Sequence, residues 1–243
     1  MSRSILVTGG SSGIGLFLAS LMSEQGNDVV TIARDHSKIV NRLNIDQYDL
    51  DLSDVAVLPE RLKSNKQLNK AFDVLVLNAG YGRFGGIEQF SYEQIRHLVD
   101  TNLISNLFLI KHYLPLMKAQ GGGDIVLLGS ESALQGAKEG SVYCATKFAL
   151  RGLAQSLRAD CSTSNIRVML INPGPVDSGF FDELKFEPQD GDDFVLSSVD
   201  VANAIVHSLE QPRNVVCDEI NLQPMKRSFK TVSYTHLTLP TKA

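Results

Sequence analysis

The sequence predicts an open, doubly wound α/β fold, a single parallel sheet of about seven strands with helices on both faces. Three observations carry this reading. Short, near-continuous runs of Val, Ile and Leu alternate with longer helix-type segments, as expected of strands covered on both faces by crossover helices. A glycine-rich turn, Gly9 to Gly15, joins the first such run to the first helical segment. The 243 residues are 43% hydrophobic and 21% charged, which suits one large domain with its own core.

The strands are expected at Ser4–Thr8, Asp28–Ala33, Ile45–Asp49, Asp73–Leu77, Asp124–Gly129, Arg167–Asn172 and Val215–Asn221. Helices are expected near 13–25, 53–66, 91–118, 141–163 and 199–210. Right-handed crossovers then open a ligand crevice at the carboxyl ends of the strands. The 91–118 helix is apolar over most of its circumference (Leu103, Leu107, Phe108, Ile110, Leu114 among others), so it must be covered on two sides. The sheet can cover one side and a second subunit the other, in a homodimer or homotetramer. The domain is placed at 1–227. Residues 228–243 show no element pattern, resemble translated adapter sequence, and are expected to fray if native.

Composition narrows the function. The net charge of -4, from 23 basic and 27 acidic residues, suggests no nucleic-acid or anionic-membrane partner. Apolar runs such as Val74 to Leu77 are far shorter than the ~20 residues of a membrane span. Ile5-Leu6-Val7 is too short for a signal-peptide core of ~7–15 residues. Cys144, Cys161 and Cys217 are odd in number and lack metal-ligand spacing, so a reduced, cytoplasmic setting without a bound metal is expected.

The turn Thr8-Gly9-Gly10-Ser11-Ser12-Gly13-Ile14-Gly15 has a strand before it and a helix after it. Glycines there permit a tight turn and close backbone approach, and the helix N-terminus offers free N–H groups to a pyrophosphate. Tyr143 and Lys147 are four residues apart on one helix face. A lysine ammonium favours the phenolate, which would move a tyrosine from its usual pKa of ~10 toward working pH, where proton transfer is most effective. Ser130, just past the fifth strand, can donate to a substrate oxygen gaining negative charge; Ser132 is the competitor.

Together with Asp51-Leu52-Ser53, Asn78-Ala79-Gly80, Asn102, Ser130, Tyr143-x-x-x-Lys147 and Pro173-Gly174, the Thr-Gly-x-x-x-Gly-Ile-Gly turn resembles the short-chain dehydrogenases/reductases over residues 4 to 225. The resemblance implies a Rossmann-type nicotinamide-dinucleotide domain and interconversion of a carbonyl and a secondary alcohol on a small-molecule substrate. It implies Tyr143 as acid/base, Lys147 as its partner and ribose anchor, and Ser130 as oxyanion partner, with Asn102 supporting a proton-carrying water. Gly9, Ser11, Ser12, Gly13, Ile14 and Gly15 would hold the pyrophosphate. Asp51 and Leu52 would hold the adenine, although Asp51 or Ser53 equally suits a helix N-cap. Asn78, Ala79 and Gly80 would wall the adenosine ribose. Pro173, Gly174, Val176 and Ser178, the last in place of the usual threonine, would form the nicotinamide-side loop.

Arg34, at the end of the second strand with Lys38 beyond it, suits a 2′-phosphate and so NADP(H); Asp35 argues for NAD(H). Phe180, Phe181 and Phe186, after Gly179 and among acids, look like a lid with no carboxylate clamp. The overall pattern is similar to bacterial NADP-dependent 3-hydroxy acid (serine-type) dehydrogenases. Two other readings are a non-catalytic dinucleotide sensor, which would not need the Ser, Asn, Tyr and Lys together, and an extended-type epimerase or dehydratase, which usually needs a larger C-terminal domain.

Overall fold

Val, Ile and Leu fill the strand positions, and in the computed structural model, which describes residues 2–37, 45–182 and 184–231, they build one seven-stranded parallel sheet. Lys38 lies outside the described residues. The strands in chain order are β1 (Ser4–Thr8), β2 (Asp28–Ala33), β3 (Ile45–Asp49), β4 (Val74–Leu77), β5 (Gly123–Leu128) and β6 (Ile166–Pro173). Short strands β7 (Val176–Asp177), β8 (Phe186–Pro188) and β9 (Leu196–Ser197) precede β10 (Glu219–Leu222) and β11 (Phe229–Thr231). The main sheet runs β10-β6-β5-β4-β1-β2-β3. The order reverses between β1 and β4, so the crevice opens beside their carboxyl ends. This is the doubly wound, Rossmann-type sheet expected.

Both faces of the sheet are covered by helices α1 (Gly13–Glu24), α2 (Leu58–Ser64), α3 (Tyr92–Val99), α4 (Ser105–Ala119), α5 (Ser141–Cys161) and α6 (Ser198–Leu209). On one face Leu18 and Met22 of α1 and Val201 and Ile205 of α6 pack on Val7, Val76 and Val126. On the other, Leu109 and Tyr113 of α4 and Leu150 and Ala154 of α5 pack on Leu6, Leu75 and Leu127. Each such buried Leu or Val contributes about 1.5–3 kcal/mol. Leu107 on α4 stays exposed, so the helix is not enclosed all round within one chain. Among the described residues no helix is long and apolar enough to cross a membrane.

Four elements differ from expectation. The 91–118 helix is interrupted by a π-turn at Asp100–Ile104, which separates α3 from α4. The seventh strand begins at Glu219, because the Arg167 guanidinium takes the carbonyls of Gln211 and Val215 and holds that stretch off the sheet. Residues 229–231 do have a partner: β11 pairs antiparallel with β8, and Phe229 packs on Phe186 at 5.8 Å between ring centroids. The helix expected at 53–66 is shorter, starting at Leu58.

At the amino end of β5, Asp124 is fully buried and receives Arg3, Arg167 (2.7 and 2.9 Å) and Arg213 (2.6 Å). Burial alone would raise its pKa; the Arg167 bonds and the charges of Arg167 and Arg213 outweigh it and hold the carboxyl below its ordinary range. Asp124→Asn leaves Arg167 buried without its counter-charge, and we expect a loss of about 3–5 kcal/mol at pH 7 in urea denaturation. The wild-type margin over this variant should fade as pH falls through the depressed Asp124 pKa, since the contribution exists only above it. A variant as stable as wild type at pH 7 would refute the assignment.

Candidate active site

The crevice is built by a chain of backbone-fixing contacts. Thr8 ends β1, and its hydroxyl oxygen accepts the N–H groups of Asn78 and Ala79, both at 3.0 Å, locking the end of β4 to β1. Gly9 and Gly13 lie at φ +70° and +50°, in the left-handed region that side chains avoid. At Gly15 a side chain would collide with the Gly9 carbonyl and the Asn78 amide. Ser12 caps α1 from an extended conformation without a side-chain bond, and the first turn of α1 carries no acid. Its N–H groups are thus available to a phosphate, together with the positive end of the helix dipole. These residues fit a dinucleotide pyrophosphate. Ser11 and Ile14 lie in the same turn, partly buried.

Arg34 is exposed just past β2, near enough to Asp51 to help hold that carboxyl below its usual range. Burial pushes the Asp51 pKa up, but Ser53 outweighs it by donating its N–H at 2.8 Å and its hydroxyl at 2.7 Å. Since α2 begins only at Leu58, with Val57 at its cap, neither Asp51 nor Ser53 is a helix N-cap. Leu52 is buried. Asp35 accepts the Ser37 N–H at 2.7 Å, within its own turn. The sequence reading missed His36, which is buried beneath this turn and bonded to Asp49 (2.6 Å) and Thr31 (3.1 Å).

Ser130 follows β5. Its N–H donates to Asn172 of β6 at 3.2 Å, and its oxygen accepts the Ser132 N–H at 3.1 Å. The Ser130 hydroxyl also reaches the Tyr143 phenol and favours its ionised form through a hydrogen bond. Of the two serines, Ser130 is the one that acts on the Tyr143 phenol. Tyr143 and Lys147 lie in the first two turns of α5, both buried. The Lys147 ammonium sits 5.7 Å from the Tyr143 ring centroid and donates to the Leu128 carbonyl at 2.9 Å.

Asn102 is fully buried in the π-turn. It accepts the Tyr81 N–H at 3.1 Å and donates to the Tyr81 carbonyl at 2.9 Å, so its side chain anchors the Asn78–Ala79–Gly80 turn. Across the crevice, Pro173 and Gly174 leave β6, Val176 is buried in β7, and Ser178 lies so close to Gly13 that a side chain there would press on it. The loop after β6 and the glycine turn therefore meet.

Burial pushes the Tyr143 phenol up to about 12, an effect only partly offset by Ser130. Burial also pulls Lys147 down to about 8. The lowered phenol expected from the sequence is thus absent from the chain itself, because desolvation dominates both groups. The sequence reading also missed Phe84, whose ring packs on Tyr143 at 5.2 Å, with Phe180 at 5.8 Å. No local pattern marks Phe84 or Asn172, since each acts through partners distant in the chain.

The sequence profile of the family described as short chain dehydrogenase matches residues 3–188. An uncharacterized oxidoreductase of Staphylococcus aureus (strain MRSA252) is 28% identical over 232 residues, covering 90% of this chain and 96% of its own. Serine dehydrogenase from Escherichia coli superposes with a TM-score of 0.79 at 26% identity, over 92% of this chain and 99% of its own. An alcohol dehydrogenase from the archaeon Thermococcus sibiricus, complexed with 5-hydroxy-NADP, gives 0.82 at 25% identity, over 94% and 99%.

The opposed shifts of Tyr143 and Lys147 make stability depend on pH. The folded state keeps a proton on Lys147 only below about 8, whereas the unfolded lysine holds it to 10.5. Stability therefore rises by about 3 kcal/mol as pH climbs across that window. Tyr143 acts oppositely: its contribution is complete below 10 and lost as pH rises toward about 12. In urea denaturation, Lys147→Met should gain on wild type at pH 7 and lose that gain by pH 10.5. A stability difference that does not change with pH would contradict the burial of Lys147.

Proposed function

The chain belongs to the short-chain dehydrogenase family of oxidoreductases, and on that premise we propose that it interconverts a ketone or aldehyde and a secondary alcohol, using NADP(H) in preference to NAD(H). The observation that carries this is the joint burial of Tyr143 and Lys147 on one face of α5, with Ser130 close enough to act on the phenol and the Lys147 amine close to Gly80. When bound, the nicotinamide supplies hydride to the carbonyl carbon, or accepts it in reverse.

The remaining chemistry falls to side chains. Ser130 donates a hydrogen bond to the carbonyl oxygen as negative charge grows there. Tyr143, protonated at neutral pH with a pKa near 12, delivers its phenolic proton to that oxygen. The Lys147 ammonium stabilises the phenolate left behind. With its pKa near 8, Lys147 can also pass a proton back to Tyr143 and recover one from solvent. Asn102 acts as a positioning residue, holding the Gly80–Tyr81 backbone beside this route. In reverse, the phenolate takes the alcohol proton.

Arg34 supports the preference for NADP(H). It stands exposed at the end of β2, and its charge reaches Asp51, while the acid beside it, Asp35, accepts the Ser37 N–H within its own turn. The NADP-type ligand in the Thermococcus sibiricus structure agrees with this reading. The same reading takes the enzyme as a homo-oligomer, with a second copy over the outer residues of α4.

Tyr143→Phe should lower kcat by about 10²–10⁴, followed by NADPH absorbance, with cofactor affinity nearly unchanged. A near-normal rate would remove Tyr143 from the mechanism. Arg34→Ala should raise the Kd for NADPH by about 10- to 100-fold in fluorescence titration and leave that for NADH almost unaltered. Equal losses for both cofactors would reduce Arg34 to a surface charge.

A further inference from the structure

We propose that the substrate pocket takes neutral alcohols and ketones bearing an aryl or similarly bulky apolar group and rejects carboxylates, with Glu131 as the specificity-determining residue that rejects them. This rests on the oxidoreductase reading above and names its substrate class.

The apolar side is made by aromatic rings gathered around the reacting phenol. Phe84 and Phe180 both touch Tyr143, and Phe186 packs edge-on to Phe84 at 5.0 Å. Phe181 joins Phe180 at 5.1 Å. The Phe180 ring rests on Gly82, where any side chain would collide with it. Phe180 follows Gly179, whose φ of +75° is a turn position, so this ring sits on the lid and covers Tyr143. A flat apolar group entering beside Tyr143 would exchange these ring contacts for its own in the edge-on and stacked geometries aromatic rings favour.

The charged side is negative. Glu131 directly follows Ser130; its Oε1 accepts from Arg227 at 3.1 Å, while its Oε2 is shielded from water without a protein hydrogen-bond partner. Its field reaches Tyr143, where it opposes the phenolate. Arg227 is largely exposed and so compensates Glu131 weakly. Two other cations around the lid are already paired with acids: Lys226 with Asp193 at 2.6 Å, and Lys230 with Asp190 at 2.6 Å and Glu187 at 3.2 Å. Arg83 lies over the Phe90 ring, and Lys185 is exposed. A substrate carboxylate near the reacting carbon would therefore meet a like charge beside Ser130, a juxtaposition that disfavours its binding.

The test compares two alcohols that share the same carbinol carbon and phenyl group, 3-hydroxy-3-phenylpropanoate and its ethyl ester, in which the carboxylate charge is capped. Each is oxidised with NADP+ while NADPH absorbance is followed, and its binding to the enzyme–NADP+ complex is measured by calorimetry. The ester should exceed the acid by about 100-fold or more in kcat/KM, with the same preference in Kd. Glu131→Gln should shrink that ratio by about tenfold or more through a gain for the acid, because it also frees Arg227. Phe180→Ala should raise KM for the ester by about tenfold. Equal use of acid and ester, preference for the acid, or binding of neither would overturn the proposal. Binding of the ester in preference to the acid, with neither oxidised, would uphold the pocket and overturn the oxidoreductase reading instead.

Discussion

Tyr143 and Lys147 are ionisable groups held where water does not reach, and the surrounding architecture follows from what that burial demands. Desolvation drives both toward their neutral forms, the phenol upward and the amine downward. A useful acid/base pair survives only if hydrogen bonds hold each group in place. The end of β5 supplies both: the Leu128 carbonyl receives the Lys147 ammonium, and the Ser130 hydroxyl meets the phenol. Between them sits Gly129, where a side chain would run into Asn172, the residue that fixes the Ser130 N–H. Packing and chemistry at this strand end are therefore one constraint.

The glycine turn is joined to the same point through Thr8. Its hydroxyl gathers the backbone of Asn78 and Ala79, and the next turn, Gly80–Tyr81, is held from the other side by Asn102. A displacement of the π-turn would be felt at Gly80, and through Thr8 at Gly9. The glycine turn and the π-turn are thus mechanically coupled through short backbone bonds. Ser178 closes the circuit by resting on Gly13.

How much of this was legible in the sequence depended on how local its cause was. The central strands were legible because burial on both faces forces runs such as Val74 to Leu77 and Val168 to Ile171. The glycine turn and the Tyr143–Lys147 spacing were legible because backbone sterics and helix pitch act over a few residues. The break at Asp100–Ile104 was not, since the apolar pattern continues through it and Asn102 is held there by Tyr81, far away in the chain. Val215 and Val216 favour a strand by composition, yet a guanidinium from β6 holds that backbone elsewhere. The raised phenol escaped notice because spacing reveals that a lysine is near but not that the site is dry.

The two ends of the sheet treat buried charge in opposite ways. At the amino end Asp124 is buried with arginine partners on every side, so its charge remains and ties β1, β5, β6 and the segment after α6 together. At the carboxyl end Lys147 is buried against a single carbonyl, without a carboxylate, and its proton is loosely held. A carboxylate partner there would have stabilised the ammonium and removed its readiness to exchange near neutral pH. The weakly compensated charge and the fully compensated one thus stand at opposite ends of the same sheet. Aromatic cover over Tyr143 serves the same division, keeping the reacting end dry without introducing a counter-ion.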